Sequence, residues 1–404
     1  MFNTNVDIFD SNIKSINDIK ISIKNADVVF VADLFLEDYN GGAEITTENL
    51  INKLKNSGTK ICKVKSSEIS HELIEEGLMK HWVFCNYASM NLNLIPVIIA
   101  NLNYSIIEYD YKFCKYRSIE KHKHAENSDC DCSDSQRGKI ISAFMCGSSN
   151  LFWMSEAQKK IYFERFPFLN NCNNTILSSI FTEQSLEKLK KVRNQEKNKK
   201  QKALIVGSNS WIKGVEDSKK YCENKNIDYE LVQGVSHDTM IEKMGEFTDF
   251  VFMPKGGDTC PRIVIEAKLA GLNVHTNQNT QHANEDWWSG SNDEIENYLK
   301  SRSEVFKKII DKTISKRETI SGYTTTKDCI SQNYPYEQAV KSMLGFCDQV
   351  VVVDGGSTDG TWESLVELSK TDDRIIIEQK KRDWSHPRFA VFDGLQKAYA
   401  RSLC

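Results

Sequence analysis

Asp249-Phe-Val-Phe-Met253-Pro254-Lys-Gly-Gly-Asp258-Thr-Cys-Pro261-Arg262-Ile-Val-Ile-Glu266-Ala-Lys-Leu-Ala270 reads as a buried apolar strand, a glycine turn and the opening of a helix. The same strand and helix alternation spreads outward on both sides, the grammar of a parallel α/β sheet. Toward the N-terminus it predicts strands at Ala203 to Val206 and Tyr229 to Val232, with helices at Val215 to Asn224 and His237 to Met244. Further upstream come strands at Asp27 to Phe35, Thr59 to Val64, His81 to Cys85 and Tyr104 to Tyr109, then weaker ones at Leu151 to Met154 and Thr175 to Ser178. Helices are expected at Glu44 to Asn56 and Asn91 to Leu102.

The expected organisation is therefore α/β throughout. Two Rossmann-like lobes, 1–195 and 200–292, are joined at Lys188 to Lys202, a helix end running into a charged linker that suits a solvated hinge, or else a plain charged helix. A helical connector at 293–318 leads to a third α/β region, 319–404. That region has a strand beginning near Thr319, strands at Gln349 to Val353 and Arg374 to Glu378, and helices at Tyr336 to Leu344, Thr361 to Leu368 and Phe389 to Arg401.

At 404 residues, 40% hydrophobic and 27% charged with both signs interspersed, the chain is globular and needs more than one core at roughly 150 residues each. A net charge of -4 argues against a nucleic-acid partner, whose phosphates call for a basic surface. The first residues lack the basic and apolar regions of a secretory signal. Apolar runs such as Asn93 to Leu102 are shorter than the ~20 residues of a transmembrane helix. A cytoplasmic location is the default. Twelve scattered cysteines favour reduced thiols over a disulfide framework.

Three stretches carry chemistry. Asp258 and Glu266 are separated by seven positions, and carboxylates accept hydrogen bonds from sugar and ribose hydroxyls while the helix start at Pro261 suits a phosphate. Val206-Gly207-Ser-Asn-Ser-Trp-Ile-Lys213-Gly214 follows the lobe's first strand. Asp38-Tyr-Asn-Gly41-Gly42-Ala43-Glu44 lies between a strand and a helix, where paired glycines let backbone amides approach a phosphate. Together these resemble the family-4 glycosyltransferases of the GT-B fold, with Asp258 in place of the usual first Glu of an acidic-x7-Glu motif.

The resemblance implies that the Asp258 region faces the donor sugar of a nucleotide-sugar, that Glu266 bonds the ribose, and that Lys213 binds phosphate. Gly41, Gly42 and Gly207 complete its donor site. Ser208 stands where the family has an arginine, and Arg262 is the candidate replacement, because a guanidinium grips phosphate oxygens bidentately. Lys213, Asp258 and Arg262 are thus the expected catalytic residues. Retention at the anomeric carbon and no obligatory cofactor or metal are implied. No residue is marked as a general base. Trp287 and Trp288 either stack on a sugar or cover the lobe edge.

In the third region, Asp348-Gln-Val-Val-Val-Val-Asp354-Gly355-Gly356-Ser357-Thr358-Asp359-Gly360-Thr361 is an apolar strand ending in a glycine turn. It resembles the nucleotide-binding half of family-2 glycosyltransferases, which have the GT-A fold. That resemblance assigns nucleotide contact to Asp354, with Gly355 and Ser357 shaping the site. A complete domain of this kind holds Mn²⁺ or Mg²⁺ on an Asp-x-Asp of a later strand that does not occur between Thr361 and Cys404, so a truncated, inactive GT-A-type domain and a longer parent protein are expected.

Cys114, His122, His124, Cys130 and Cys132 crowd a polar insert, and thiolate with imidazole at that density suits a structural Zn²⁺. The expected activity is sugar transfer from a nucleotide-sugar to a glycan, lipid-linked or protein acceptor, in surface polysaccharide or glycan assembly. Peripheral membrane contact would follow from a lipid-linked acceptor. The alternatives are a degenerate nucleotide-sugar-binding scaffold and an epimerase of the same architecture.

Overall fold

A computed structural model describes residues 15–195, 199–315, 320–382 and 389–404. The chain divides into two compact units at Ser315. The first carries two parallel sheets. Strands β1 (Val28–Ala32), β2 (Ile61–Lys65), β3 (His81–Phe84), β4 (Asn103–Glu108), β5 (Asn150–Trp153) and β6 (Asn174–Ile176) form a six-stranded sheet in the order β2-β1-β3-β4-β5-β6. Strands β7 (Lys200–Val206), β8 (Tyr229–Val232), β9 (Phe247–Phe252) and β10 (Asn273–Thr276) form a four-stranded sheet in the order β10-β9-β7-β8. Every pairing is parallel, in register from Val28 opposite both Ile61 and His81, and from Leu204 opposite Phe250.

All five residues of β1 are buried because both faces of its sheet are covered. Val28, Phe30 and Ala32 point into a cluster that continues through Leu204 and Phe250 of the other sheet and Val264 of the helix Arg262–Leu269. Val29 and Val31 point the opposite way, into a cluster with Trp82, Tyr104 and Phe144. A continuous core therefore joins the two lobes.

Two expectations change at the lobe boundaries. Lys188 to Arg193 of the charged run form the end of the helix Glu183–Arg193, whose Leu186, Leu189 and Val192 are buried, and Lys200 to Lys202 begin β7. Of the proposed hinge, 196–198 lie outside the described residues. The helix expected as a connector, Asn292–Ser315, turns back onto the first lobe. Its Phe306 is fully buried against Phe30 and Phe152, with ring centroids 6.4 and 5.0 Å away. Asn150 Nδ2 donates to Thr313 Oγ1 at 3.1 Å near its end.

The second unit contains β11 (Ser321–Thr326), β12 (Gln349–Asp354) and β13 (Ile375–Gln379), parallel and in that order. Val350 and Val352 pack on one face of the sheet, Val351 and Val353 on the other. The strand start expected near Thr319 lies outside the described residues. No helix among the described residues is long and apolar enough to cross a membrane.

Two histidines of the first unit make its stability acid-sensitive. Burial pushes the pKa of His81 down to about 4, and burial, aided by the charge of Lys268, pushes that of His282 down to about 3. Both ring nitrogens of His282 are buried without a partner. The unfolded chain protonates both rings near pH 6.5 while the fold keeps them neutral, so stability present above that pH is lost as pH falls. Each pKa unit is worth about 1.4 kcal/mol, giving a loss on the order of 3 kcal/mol by about pH 5.5. Urea denaturation followed by tryptophan fluorescence should show this decline, and His282→Phe should roughly halve it. An unchanged slope in His282→Phe would rule out His282 as a source.

Candidate functional site

In each sheet of the first unit the strand order reverses at one point, between β1 and β3 and between β7 and β9. Open parallel sheets bind ligands outside the carboxyl ends of the strands at such switch points. Loops leaving these ends meet across the lobes. Thr259 Oγ1 donates to Tyr109 O at 2.7 Å, Ser179 Oγ donates to Cys260 O at 3.0 Å, and a side chain built on Gly42 would have its Cβ 3.6 Å from Arg262 Cβ. The helix starting at Gly42 and the helix starting at Arg262 therefore bring their N-terminal ends together.

Lys213 and Asp258, 45 residues apart, form one pair: Nζ donates to Oδ2 at 2.6 Å. Backbone sterics place the lysine. Gly214 has φ +59°, and a Cβ there would lie 1.8 Å from Met253 O, so only glycine lets this loop press against the end of β9. Lys255 N donates to Ile212 O at 2.8 Å, and Ser218 Oγ both donates to Gly214 O and accepts from Met253 N, each at 3.0 Å. On the other side, Asp258 N donates to Asn279 O at 2.8 Å. Gly207 approaches Gln233 closely, and Ser208 Oγ accepts from Ser210 N within its own turn.

Arg262 and Glu266 occupy a different environment. Both are buried, with Arg262 Nε donating to Glu266 Oε1 at 2.7 Å and the guanidinium 3.8 Å from the centroid of Phe181. Arg262 Nη1 donates to Ile180 O at 2.5 Å, while Nη2 is buried without a partner. Burial pulls the guanidinium's pKa below its usual value, and Glu266 opposes this. His237 Nε2 lies 2.8 Å from the same Glu266 oxygen. The fork expected to grip phosphate through two nitrogens is therefore largely engaged within the protein.

Gly41 caps the helix Gly42–Lys55, and a Cβ on it would lie 2.4 Å from Glu44 Oε2. Burial raises the pKa of Glu44, with Arg117 lowering it and Asp33 raising it further. Sequence patterning missed the charged network behind this loop. Lys112 Nζ, fully buried, pairs with Glu108 at 3.4 Å and with Asp110 at 3.3 Å. Arg117 Nε donates to Asp110 Oδ2 at 2.6 Å and Nη2 donates to Asn86 Oδ1 at 3.1 Å. Burial raises Glu108; it would also raise Asp110, but Lys112 and Arg117 outweigh it and hold Asp110 low. Tyr-Asp-Tyr-Lys looks like a surface loop, and only the φ of +57° at Arg117 and the neighbouring aromatics mark it as something tighter.

Trp287 and Trp288 pack. Trp287 stacks on Tyr298 at 4.6 Å, and both indoles enclose His282. Cys114, His122, Cys130 and Cys132 come together, all buried. His124 does not join them: it stacks on Trp211, centroids 5.0 Å apart. Residues two apart on a helix point to opposite sides, so His122 and His124 of the helix Ile119–Glu126 cannot share a centre.

In the second unit Asp354 is fully buried at the end of β12 and organises the turn after it. Oδ2 accepts from Gly356 N at 2.9 Å and Ser357 N at 2.7 Å; Oδ1 accepts from Thr326 Oγ1 at 3.0 Å and Ser357 Oγ at 2.5 Å. Gly355 packs beneath this turn against Arg382 and Gln396.

No family model and no curated protein matches the chain. Similar solved structures include HepE from Anabaena in complex with UDP and glucose, at 10% identity and TM-score 0.40 over 78% of this chain and 100% of that one. Sucrose-phosphate synthase from Thermosynechococcus elongatus is also similar, at 10% identity and TM-score 0.45 over 78% and 98%. A UDP-forming trehalose-phosphate synthase from Burkholderia xenovorans follows at 6% and 0.42 over 72% and 99%. Similarity at that level assigns neither a substrate nor a site residue.

The wedge at Gly214 generates a direct test. Gly214→Ala forces the loop off β9 and should destabilise the first unit by about 2–4 kcal/mol, since strain and overpacking add. Gly58, at φ +92° with nothing within 4 Å of a Cβ, is the control, and Gly58→Ala should cost only about 1 kcal/mol. Equal losses in urea denaturation would show that the contact with Met253 does not hold the loop.

Proposed function

We propose that the first unit is a nucleotide-sugar-dependent glycosyltransferase of the GT-B type, with the donor's diphosphate held between the carboxyl edges of its two sheets. The observation that carries this is the meeting of the helix starts at Gly42 and Arg262 beside the loops that hold Lys213 and Asp258. Helix N-termini present unpaired amides and a positive dipole end, which suit a diphosphate. Lys213 adds a mobile cation, and Asp258 offers its carboxylate to sugar hydroxyls once the lysine turns to phosphate.

Transfer breaks the bond from the anomeric carbon to the diphosphate oxygen, forms one to the acceptor hydroxyl oxygen, and releases the acceptor's proton. Negative charge developing on the leaving diphosphate is stabilised by Lys213 and the amides of Gly41 and Gly42. Arg262 supports the site mainly by position, with Nη2 as its one nitrogen left for an anion. Glu266, held by Arg262 and His237, is the ribose partner. Retention of anomeric configuration without a required metal, and a glycan, lipid-linked or protein acceptor in surface polysaccharide assembly, complete the reading. For the second unit the reading is a GT-A-type nucleotide-binding half, in which Asp354 shapes the loop of Gly355 and Ser357 that meets the nucleotide.

UDP is the first probe for binding, and UDP-sugar hydrolysis or transfer is the probe for chemistry. Lys213 is partly exposed, so Lys213→Ala should leave stability within about 0.5 kcal/mol and weaken UDP binding roughly 10- to 100-fold, the worth of a charge-assisted hydrogen bond. Glu266→Gln keeps an acceptor for Arg262 and should lower ribose-dependent affinity, whereas Glu266→Ala would leave a buried charge and confound folding with function. UDP binding unaffected by both variants would sink the donor site. Binding without turnover of any UDP-sugar would favour a scaffold.

A further inference from the structure

The residues between Tyr109 and Ser135 contain one helix, Ile119–Glu126, which buries a single histidine and has little apolar surface of its own. Four buried side chains anchor it instead. His122 Nδ1 lies 3.3 Å from Cys132 Sγ and 3.8 Å from Cys114 Sγ, and the donor atoms of Cys114, His122, Cys130 and Cys132 all lie within 4.8 Å of one another. Tetrahedral zinc, with bonds of about 2.3 Å to sulfur and about 2.0 Å to nitrogen, sets its donors roughly 3.5–3.8 Å apart. None of the cysteines is in a disulfide.

The surroundings are built for such a centre. The carbonyls of the Cys-x-Cys loop are pinned, with Arg165 Nη1 donating to Cys130 O at 3.0 Å and Ser135 Oγ donating to Cys132 O at 2.6 Å. Gly138 lets the loop lie directly on the next helix, since a Cβ there would be 2.2 Å from Cys132 O. His122 Nε2, the nitrogen turned away from the thiols, lies 3.9 Å from Asp131 Oδ1, beyond hydrogen-bond distance. Three thiolates and an imidazole select a soft divalent ion over magnesium or calcium.

The same helix reaches the second lobe. Gly257 N, next to Asp258, donates to Glu120 Oε2 at 3.1 Å, and Ser118 Oγ donates to that oxygen at 3.1 Å. His124 stacks on Trp211, two residues before Lys213. We infer that Cys114, His122, Cys130 and Cys132 bind one Zn²⁺ and that this ion is an interlobe clasp, fixing the helix Ile119–Glu126 against the loops that carry Lys213 and Asp258. Uptake replaces thiol protons with metal bonds, three protons leaving as three thiolates coordinate.

The full chain, purified without chelator, should contain about one zinc per molecule by elemental analysis. Cys132→Ser and Cys130→Ser should lose most of it, while Cys404→Ser and His124→Ala retain it. Should the cysteine variants fail to fold, cobalt(II) exchanged into the unaltered chain should give the absorption bands of a tetrahedral thiolate site. Folded protein with no zinc and no cobalt bands overturns the site, as does a disulfide between any two of Cys114, Cys130 and Cys132 in non-reducing peptide mapping. For the clasp, hydrogen exchange at 254–261 should quicken about tenfold on zinc removal. It should quicken similarly in Glu120→Gln with zinc still bound. Unchanged exchange in either case overturns the clasp. None of these readouts depends on sugar transfer.

Discussion

The joint between the lobes rests on the buried guanidinium of Arg262. It is tied to Glu266 on its own helix, to Ile180 O from the first lobe and to the ring of Phe181, and Gly42 packs against its Cβ. Burying a charge is costly unless it is paired and hydrogen-bonded, and here Nε pairs with Glu266 and Nη1 with Ile180 O, groups from the two lobes, while Nη2 stays without a partner. That makes the relative placement of the two helix starts a requirement of arginine's own solvation. The continuous apolar core beneath, from Phe30 through Phe250 to Phe306, supplies the burial that makes the requirement strict.

Local strand and helix order was legible from the chain wherever apolar residues alternated strongly. The helices expected at His237 to Met244 and Tyr336 to Leu344 fall where periodicity placed them, and the one expected at Val215 to Asn224 runs one residue further, to Lys225. The helix Glu156–Arg165 was missed because its buried positions include Gln158, which faces inward by donating to Glu108 O and Asp110 O and accepting from Met154 N. Hydrophobic periodicity cannot register a polar residue buried by backbone partners. Strand β10, Asn-Val-His-Thr, was missed for a related reason: it is an edge strand with a single aliphatic residue.

The candidate site divides the same way. Asp258 and Glu266 could be read because they lie on one strand, loop and helix. The pairing of Asp258 with Lys213 could not, since it depends on the contact of Gly214 with Met253, a tertiary fact hidden in an ordinary Lys-Gly pair. Cysteine and histidine density pointed to the cluster at Cys130 and Cys132, yet only helix geometry separates His122, which belongs to it, from His124, which faces Trp211. Asp354 shows the converse: a motif residue placed as expected at a strand end, with its carboxylate occupied in holding the turn.

The two cations of the cleft differ in what a ligand can ask of them. The Lys213–Asp258 pair is partly open to solvent, and such pairs contribute about 0–1 kcal/mol. A charge-assisted bond to phosphate is worth about 1.5–3 kcal/mol, so in the donor site proposed for this unit a diphosphate would take the lysine and release the aspartate to sugar hydroxyls. Breaking the buried Arg262–Glu266 pair would cost about 3–5 kcal/mol, more than one phosphate contact returns. Arg262 therefore stays fixed as the frame while Lys213 moves. In the donor site proposed for this unit, the serine at position 208 adds no charge beside Lys213, so leaving-group charge would fall on Lys213 and on the backbone amides at Gly41 and Gly42.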